Sequence, residues 1–195
     1  MYDIIICVFG CVTIERYRNE ILKIKETYEK NTNENVKILY FLGEEKTSLF
    51  NSEDDNCIYL KGVKNDYNSA SIKQNLGIKY IEDNFQYKYI FCCGSDTFVN
   101  VPKMQKYLKQ FNQNDFLYIG GHGDYRNVLG NNLYFHSGGA GFIISRPVVK
   151  KIYSTLENMF ETWEELIKSK PCSYLIPACD VAISYYIQKN IDKCQ

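Results

Sequence analysis

Net charge is what this chain most plainly lacks: Lys and Arg total 23, Asp and Glu total 23, and the formal balance is +0. A protein that grips a phosphate backbone needs a basic excess, so nucleic acid is not an expected partner. No apolar run reaches the ~20 residues a membrane-crossing helix requires. The first apolar segment, Ile4 to Val8, is too short for a signal-peptide core and has no basic flank. No N-x-S/T acceptor site occurs. These absences predict a cytoplasmic location, or the Golgi or endoplasmic reticulum lumen if an anchor precedes residue 1. There is no C-x-x-C pair, so a structural zinc site is not expected. His122 and His136 are the only histidines, and their surroundings give no Ser-His-Asp pattern. A G-x-G-x-x-G dinucleotide fingerprint is also missing.

What is present is a chain of 195 residues, 45% hydrophobic, long enough to bury a core as one domain spanning residues 1–195. Eight cysteines could form disulfides in an oxidising compartment. Three of them, Cys7, Cys92 and Cys93, lie inside apolar runs and read as small buried hydrophobes. Cys92 and Cys93 are adjacent on a predicted strand, so their side chains should point to opposite faces. Cys172 and Cys179 are the best-placed pair if a disulfide forms.

Residues 3–9 (DIIICVF) form a continuous β-branched run ending at Gly10, the mark of a strand buried on both faces. Residues 14–28 carry apolar side chains at helical spacing. Residues 36–42 give a second strand and residues 58–60 a short one, with a charged loop predicted over 44–55. A helix capped by Ser69 or Ser71 runs to about Asn84. Residues 87–93 (YKYIFCC) form another buried strand, closed by Gly94-Ser95-Asp96. Pro102 and Pro147 open helices at their first turns. Short strands are predicted over 116–119, 133–135 and 142–145, with a loop over 121–132 and a turn at 138–141. Trp163 lies on a further short helix, and Asp180 heads the last one. Strands alternating with helices imply an α/β fold with a mostly parallel sheet, and a ligand crevice at the strand carboxyl ends.

Three features could carry chemistry there. Asp96 leaves the sheet where a carboxylate can meet a ligand or a divalent ion, and equally where a turn aspartate sits. Gly138-Gly139-Ala140-Gly141 allows close backbone approach to a ligand, or simply a tight turn. Asp180 is placed for a general base or for a helix cap.

Their order resembles a known family. The helix ending Lys25-Glu26-Thr27-Tyr28 is similar to an R-E-T-W helix, and Tyr40-Phe41-Leu42-Gly43 to F-x-L-G. Tyr67, Ser71, Ile72 and Lys73 keep the spacing of Y-x-N-L-T-L-K. Residues 96–101 (DTFVNV) resemble the tail of D-D-D-T-F-V-N-V. Residues 134–145 (YFHSGGAGFIIS) resemble a glycine-rich segment, and Asp180-Val181-Ala182-Ile183 a D-V-x-x-G segment with Ser184 in place of glycine. Together they resemble the fringe and beta-1,3-galactosyltransferase family of inverting GT-A glycosyltransferases.

The resemblance implies a GT-A α/β/α sandwich and a hexosyl transfer forming a beta-1,3 linkage. The donor would be a nucleotide sugar such as a UDP-sugar, and the acceptor a glycan or glycoprotein hydroxyl. Asp96 would hold Mn2+ and Asp180 would be the catalytic base. Gly10, Tyr67, Lys73, Gly94, Ser95 and Asp96 would line the donor site, and Gly138, Gly139, Ala140 and Gly141 the acceptor side. Gly94 and Ser95 stand where the family has two further aspartates, and residues 137–195 contain no histidine to match the family's metal ligand. The alternative is a catalytically inactive sugar- or nucleotide-binding module on the same fold.

Overall fold

A computed structural model describes residues 1–47 and 56–191. The expected loop over 44–55 therefore lies largely outside the described residues, as does Cys194. The sequence runs through strand β1 (Tyr2–Phe9), helix α1 (Glu15–Glu26), β2 (Val36–Leu42), β3 (Cys57–Tyr59) and α2 (Ala70–Asn84). It continues through β4 (Tyr87–Gly94), α3 (Val101–Leu108), β5 (Tyr118–Gly120), β6 (Gly123–Val128) and β7 (Asn131–His136). The last elements are β8 (Phe142–Ser145), α4 (Arg146–Leu156), α5 (Met159–Ile167) and α6 (Cys179–Asn190).

Six strands form one sheet in the order β3-β2-β1-β4-β8-β5. β1 is parallel to both β2 and β4, and β8 runs antiparallel to β4 and β5. The centre of the sheet explains its continuous apolar sequences. On β1, Ile5 and Cys7 enter one core while Ile4, Ile6 and Val8 enter the other. The same split holds on β4, with Ile90 and Cys92 on one face and Tyr89, Phe91 and Cys93 on the other. A side chain that must be apolar on both faces cannot alternate with polar ones. The first core gathers residues of α2, α4, α5 and α6, and the second those of α1 and α3. This is the predicted α/β/α sandwich. Each Ile, Leu or Phe fully buried in either core contributes roughly 1.5–3 kcal/mol.

Helix α2 lies very close to the sheet. A Cβ on Gly77 would come within 2.8 Å of the Phe41 ring and 3.0 Å of Cys7 Sγ, so only glycine allows that approach. Trp163 is buried, and its indole N–H donates to the Leu175 carbonyl at 3.1 Å. Among the described residues Cys172 and Cys179 carry separate thiols and form no disulfide with each other. No helix among them is long and apolar enough to cross a membrane.

Three local expectations change. The stretch 121–132 is mostly a hairpin, not a loop: β6 pairs antiparallel with β7 from Gly123↔His136 to Val128↔Asn131. Its strand β6 carries mainly exposed polar residues, so it gives no apolar signal. The helix opened by Pro147, expected to run to about Met159, ends at Leu156, and the expected short helix carrying Trp163 begins at Met159. Finally, Ser69 stands at the N-cap of α2 without capping it. Its amide and hydroxyl both donate to Asp66 Oδ1, at 2.8 and 2.7 Å, so Asp66 shapes the helix entry. Ser71 is buried inside the helix.

Candidate active site

β1 is flanked by β2 on one side and β4 on the other, so the chain reverses its direction of winding between β1 and β4. Ligand crevices form at such points, outside the strand carboxyl ends. Here Phe9 pairs with Gly94, and the chain leaves both strands side by side. The first turns of α1, α2 and α6 converge on the same place and bring their partly positive amide ends with them.

The resulting cavity has a volume of about 590 Å³. Gly10, Tyr67, Lys73, Gly94, Ser95, Asp96, Gly138, Gly139 and Asp180 all line it. The predicted donor-side residues and the predicted base thus share one crevice. Ala140 and Gly141 do not: they line a second cavity of about 560 Å³ with Phe98, Asn100 and Tyr107. The two spaces meet at a strap where Thr97 Oγ1 donates to the Gly139 carbonyl at 3.0 Å.

Each wall has a physical basis. A Cβ on Gly10 would press to 2.8 Å from Ile21 Cδ1, and one on Gly94 to 2.9 Å from Asp96 Oδ1. Gly141 adopts φ 78°, and a Cβ there would sit 2.2 Å from the Phe91 ring, so no other residue fits that turn. Ser95 is buried and donates to Glu20 at 2.8 Å. Tyr67 is 71% exposed and forms the rim. Asp180 Oδ2 accepts from the Gly138 amide at 2.9 Å, and Oδ1 from the Val181 amide at 2.9 Å. The carboxylate is thereby fixed against the glycine-rich turn. Behind it, Ser184 Oγ donates to the Asp180 carbonyl at 2.6 Å and bonds the Tyr118 hydroxyl. The serine that replaces the family's glycine therefore braces the first turn of α6.

Lys73 is the unusual member. It is 1% exposed, and its only hydrogen-bond partner among the described residues is the Asp66 carbonyl at 3.3 Å. Burial holds its ammonium below the usual lysine range, against the opposing pull of Cys11 and Asp66. Ser69, by hydrogen bonding, keeps the Asp66 carboxyl below its ordinary value. Burial pushes the Cys179 thiol up to about 12, so it stays protonated at neutral pH and is no nucleophile.

Arg16, Tyr17, Cys11, Asp66 and residues 177–179 also line the cavity, and sequence reasoning did not name them. Asn65 explains part of this. Its side chain accepts from the Gly43 amide at 2.9 Å, and its carbonyl takes Cys11 Sγ at 2.7 Å and Thr13 Oγ1 at 3.2 Å. One buried asparagine so ties the ends of β1 and β2 to the entry of α2. The available signal was the residue pair Asn65-Asp66 just ahead of a helix.

The donor set does not fit a manganese ion. No group of three His, Cys, Asp or Glu side chains among the described residues could hold one. Asp96 stands at the cavity with Gly94 and Ser95 in the neighbouring positions, while both oxygens of Asp180 and Oδ1 of Asp66 already accept hydrogen bonds. A hard cation that takes six oxygens would find one unengaged carboxylate, Asp96, at this point among the described residues.

No curated protein matches the chain in sequence. A family model described as Fringe-like matches residues 1–191, which takes in every element of the sheet and every wall of the crevice, and the chain belongs to that family of glycosyltransferases.

Proposed function

We propose that the protein is an inverting glycosyltransferase that moves a sugar from a nucleotide sugar, a UDP-sugar being the leading choice, to a hydroxyl of a glycan or glycoprotein. The observation that carries this reading is Asp180, held by the Gly138 amide across the crevice into which β1 and β4 open. Each Asp180 oxygen accepts one amide hydrogen and keeps a second lone pair. An acceptor hydroxyl entering over Gly138 and Gly139 can give its proton to that lone pair. Its oxygen then bonds to the anomeric carbon while the bond from that carbon to the diphosphate breaks on the opposite face, leaving a nucleoside diphosphate and an inverted linkage. Asp96, exposed at the mouth, accepts a hydrogen bond from a hydroxyl of the donor. The second cavity, with exposed Phe98 and Tyr107, offers aromatic faces to the rings of an acceptor glycan.

The test is a calorimetric screen of nucleotide sugars, followed by a transfer assay with the donor that binds. Release of nucleoside diphosphate coupled to a glycan acceptor, with inversion seen by NMR, is the expected result. One observation favours a second reading. Both oxygens of Asp180 are engaged as they would be in a purely structural cap, which suits a binding module without catalysis. Tight donor binding with no transfer to any acceptor would establish that reading instead.

A further inference from the structure

The crevice is lined by two cations and three carboxylates, and their partners differ. Asp66 accepts two hydrogen bonds from Ser69, and Asp180 accepts two from backbone amides. Nearby, Glu20 accepts from both Ser95 and Arg16. Asp96 alone among these carboxylates has no hydrogen-bond partner among the described residues. On the other side of the ledger stand Lys73 and Arg16. The ammonium of Lys73 has three donors and uses one, on a carbonyl. Arg16 gives Nε to Glu20, at 3.1 Å, and its two terminal nitrogens have no hydrogen-bond partner among the described residues. Its side chain is 74% exposed at the opening, with the guanidinium 5.8 Å from the Tyr17 ring centre.

A buried ammonium is kept in a fold where something anionic repays its lost hydration. No carboxylate among the described residues is hydrogen-bonded to Lys73. Two helix entries, those of α1 and α2, add their amide ends beside these cations. Resting on the reading of the chain as a nucleotide-sugar enzyme, we propose that Lys73 and Arg16 hold the donor diphosphate directly, and that donor binding needs no divalent metal. The loss of the neighbouring carboxylates at Gly94 and Ser95 then has a counterpart. As the bond from the anomeric carbon breaks, its electron pair passes to the terminal phosphate oxygen. That charge falls on the Lys73 ammonium and the Arg16 guanidinium, which need no reorganisation to receive it.

The probe is UDP, titrated calorimetrically into the purified protein in EDTA and again in excess manganese chloride. UDP binds in EDTA, manganese changes its Kd less than ~3-fold, and uridine binds at least ~10-fold more weakly because it lacks the charged group. Arg16→Gln and Lys73→Met each weaken UDP at least ~10-fold in EDTA, since each removes a charge-assisted hydrogen bond. Thermal melts of both variants check folding. If Lys73→Met does not fold, the exposed Arg16→Gln still decides. UDP binding seen only with manganese, and lost in Asp96→Asn, would overturn this inference and leave the proposed transferase standing. Unchanged UDP affinity in folded Arg16→Gln and Lys73→Met would overturn it as well. No UDP binding in either condition would overturn it together with a UDP-sugar donor.

Discussion

Asn in place of Asp180 keeps the size of the side chain and removes its ability to take a proton. It also offers one acceptor oxygen where the carboxylate offers two, so one of the two amide bonds to Gly138 and Val181 is lost. Asp180→Asn is expected to lower stability by about 1 kcal/mol. Transfer falls ~10²–10⁴-fold while donor affinity holds; a transfer rate near wild type would remove Asp180 as the base. Lys73 gives a second test with a worked sign. Burial lowers its folded pKa below the unfolded value of 10.5, so between those two values the unfolded chain binds the extra proton. Stability therefore rises with pH across that window. Lys73→Met removes the buried charge, so it should resist urea better than wild type at neutral pH, and this advantage should shrink as pH climbs toward 10.5. An advantage independent of pH would mean that the ammonium is not the source. Asp96, Gly138 and Asp180 were legible in sequence because each sits where a predicted element ends or begins. Arg16 and Asp66 were not, because their place in the crevice depends on α1 and α2 converging across β1.

Among the elements, β1, β2 and β4 were readable because strands buried on both faces have no polar positions to confuse the pattern. The β6–β7 hairpin was not. On β6 only Val128 is buried, and the burial of Leu133, Phe135 and His136 on β7 marks one strand of the two. Its turn also withholds the usual sign. Val128 pairs with Asn131, so Leu129 and Gly130 form a two-residue loop, with φ 53° and 86°. Positive φ at both positions is the type I′ geometry, where Asn-Gly is favoured and a leucine is strained. Leu129→Asn is expected to stabilise the protein by about 1 kcal/mol, read as a higher urea midpoint with an unchanged slope. Leu129 is partly exposed, so little packing opposes the gain. A lower midpoint would show that its contacts outweigh its backbone strain. The helix entries were less legible: Asn100, which the sequence did not single out, caps α3 by accepting the Lys103 amide at 3.1 Å, and the side chain expected to cap α2, that of Ser69, donates instead to Asp66.

Across the whole molecule, tyrosines knit the layers together and set its response to alkali. Tyr28, Tyr40, Tyr87 and Tyr118 are buried, and burial raises all four well above the ordinary value of 10.0. Tyr40 and Tyr87 also donate to Glu29 and Glu82, at 2.5 and 2.6 Å. A folded pKa raised above the unfolded one gives stability that is complete below pH 10 and is lost as pH rises beyond it. The protein should therefore unfold in alkali before these phenols ionise, and a final step of tyrosinate absorbance should coincide with the loss of circular dichroism. Absorbance that reaches its full value while the circular dichroism is still native would contradict this. The α/β/α layering was legible because the alternation of elements runs the length of the chain; the division of the crevice by the Thr97–Gly139 strap was not, since it joins residues 42 positions apart. The two thiols at the end of β4 give the molecule something more. Cys92 lies in the core shared with α2, α4, α5 and α6, and Cys93, its neighbour in the chain, in the core shared with α1 and α3. Both are fully shielded, so neither meets a thiol reagent until its own layer lifts. Two sulfurs one peptide bond apart are thus independent clocks for the two halves of the sandwich, and the ratio of their labelling rates measures which layer opens first.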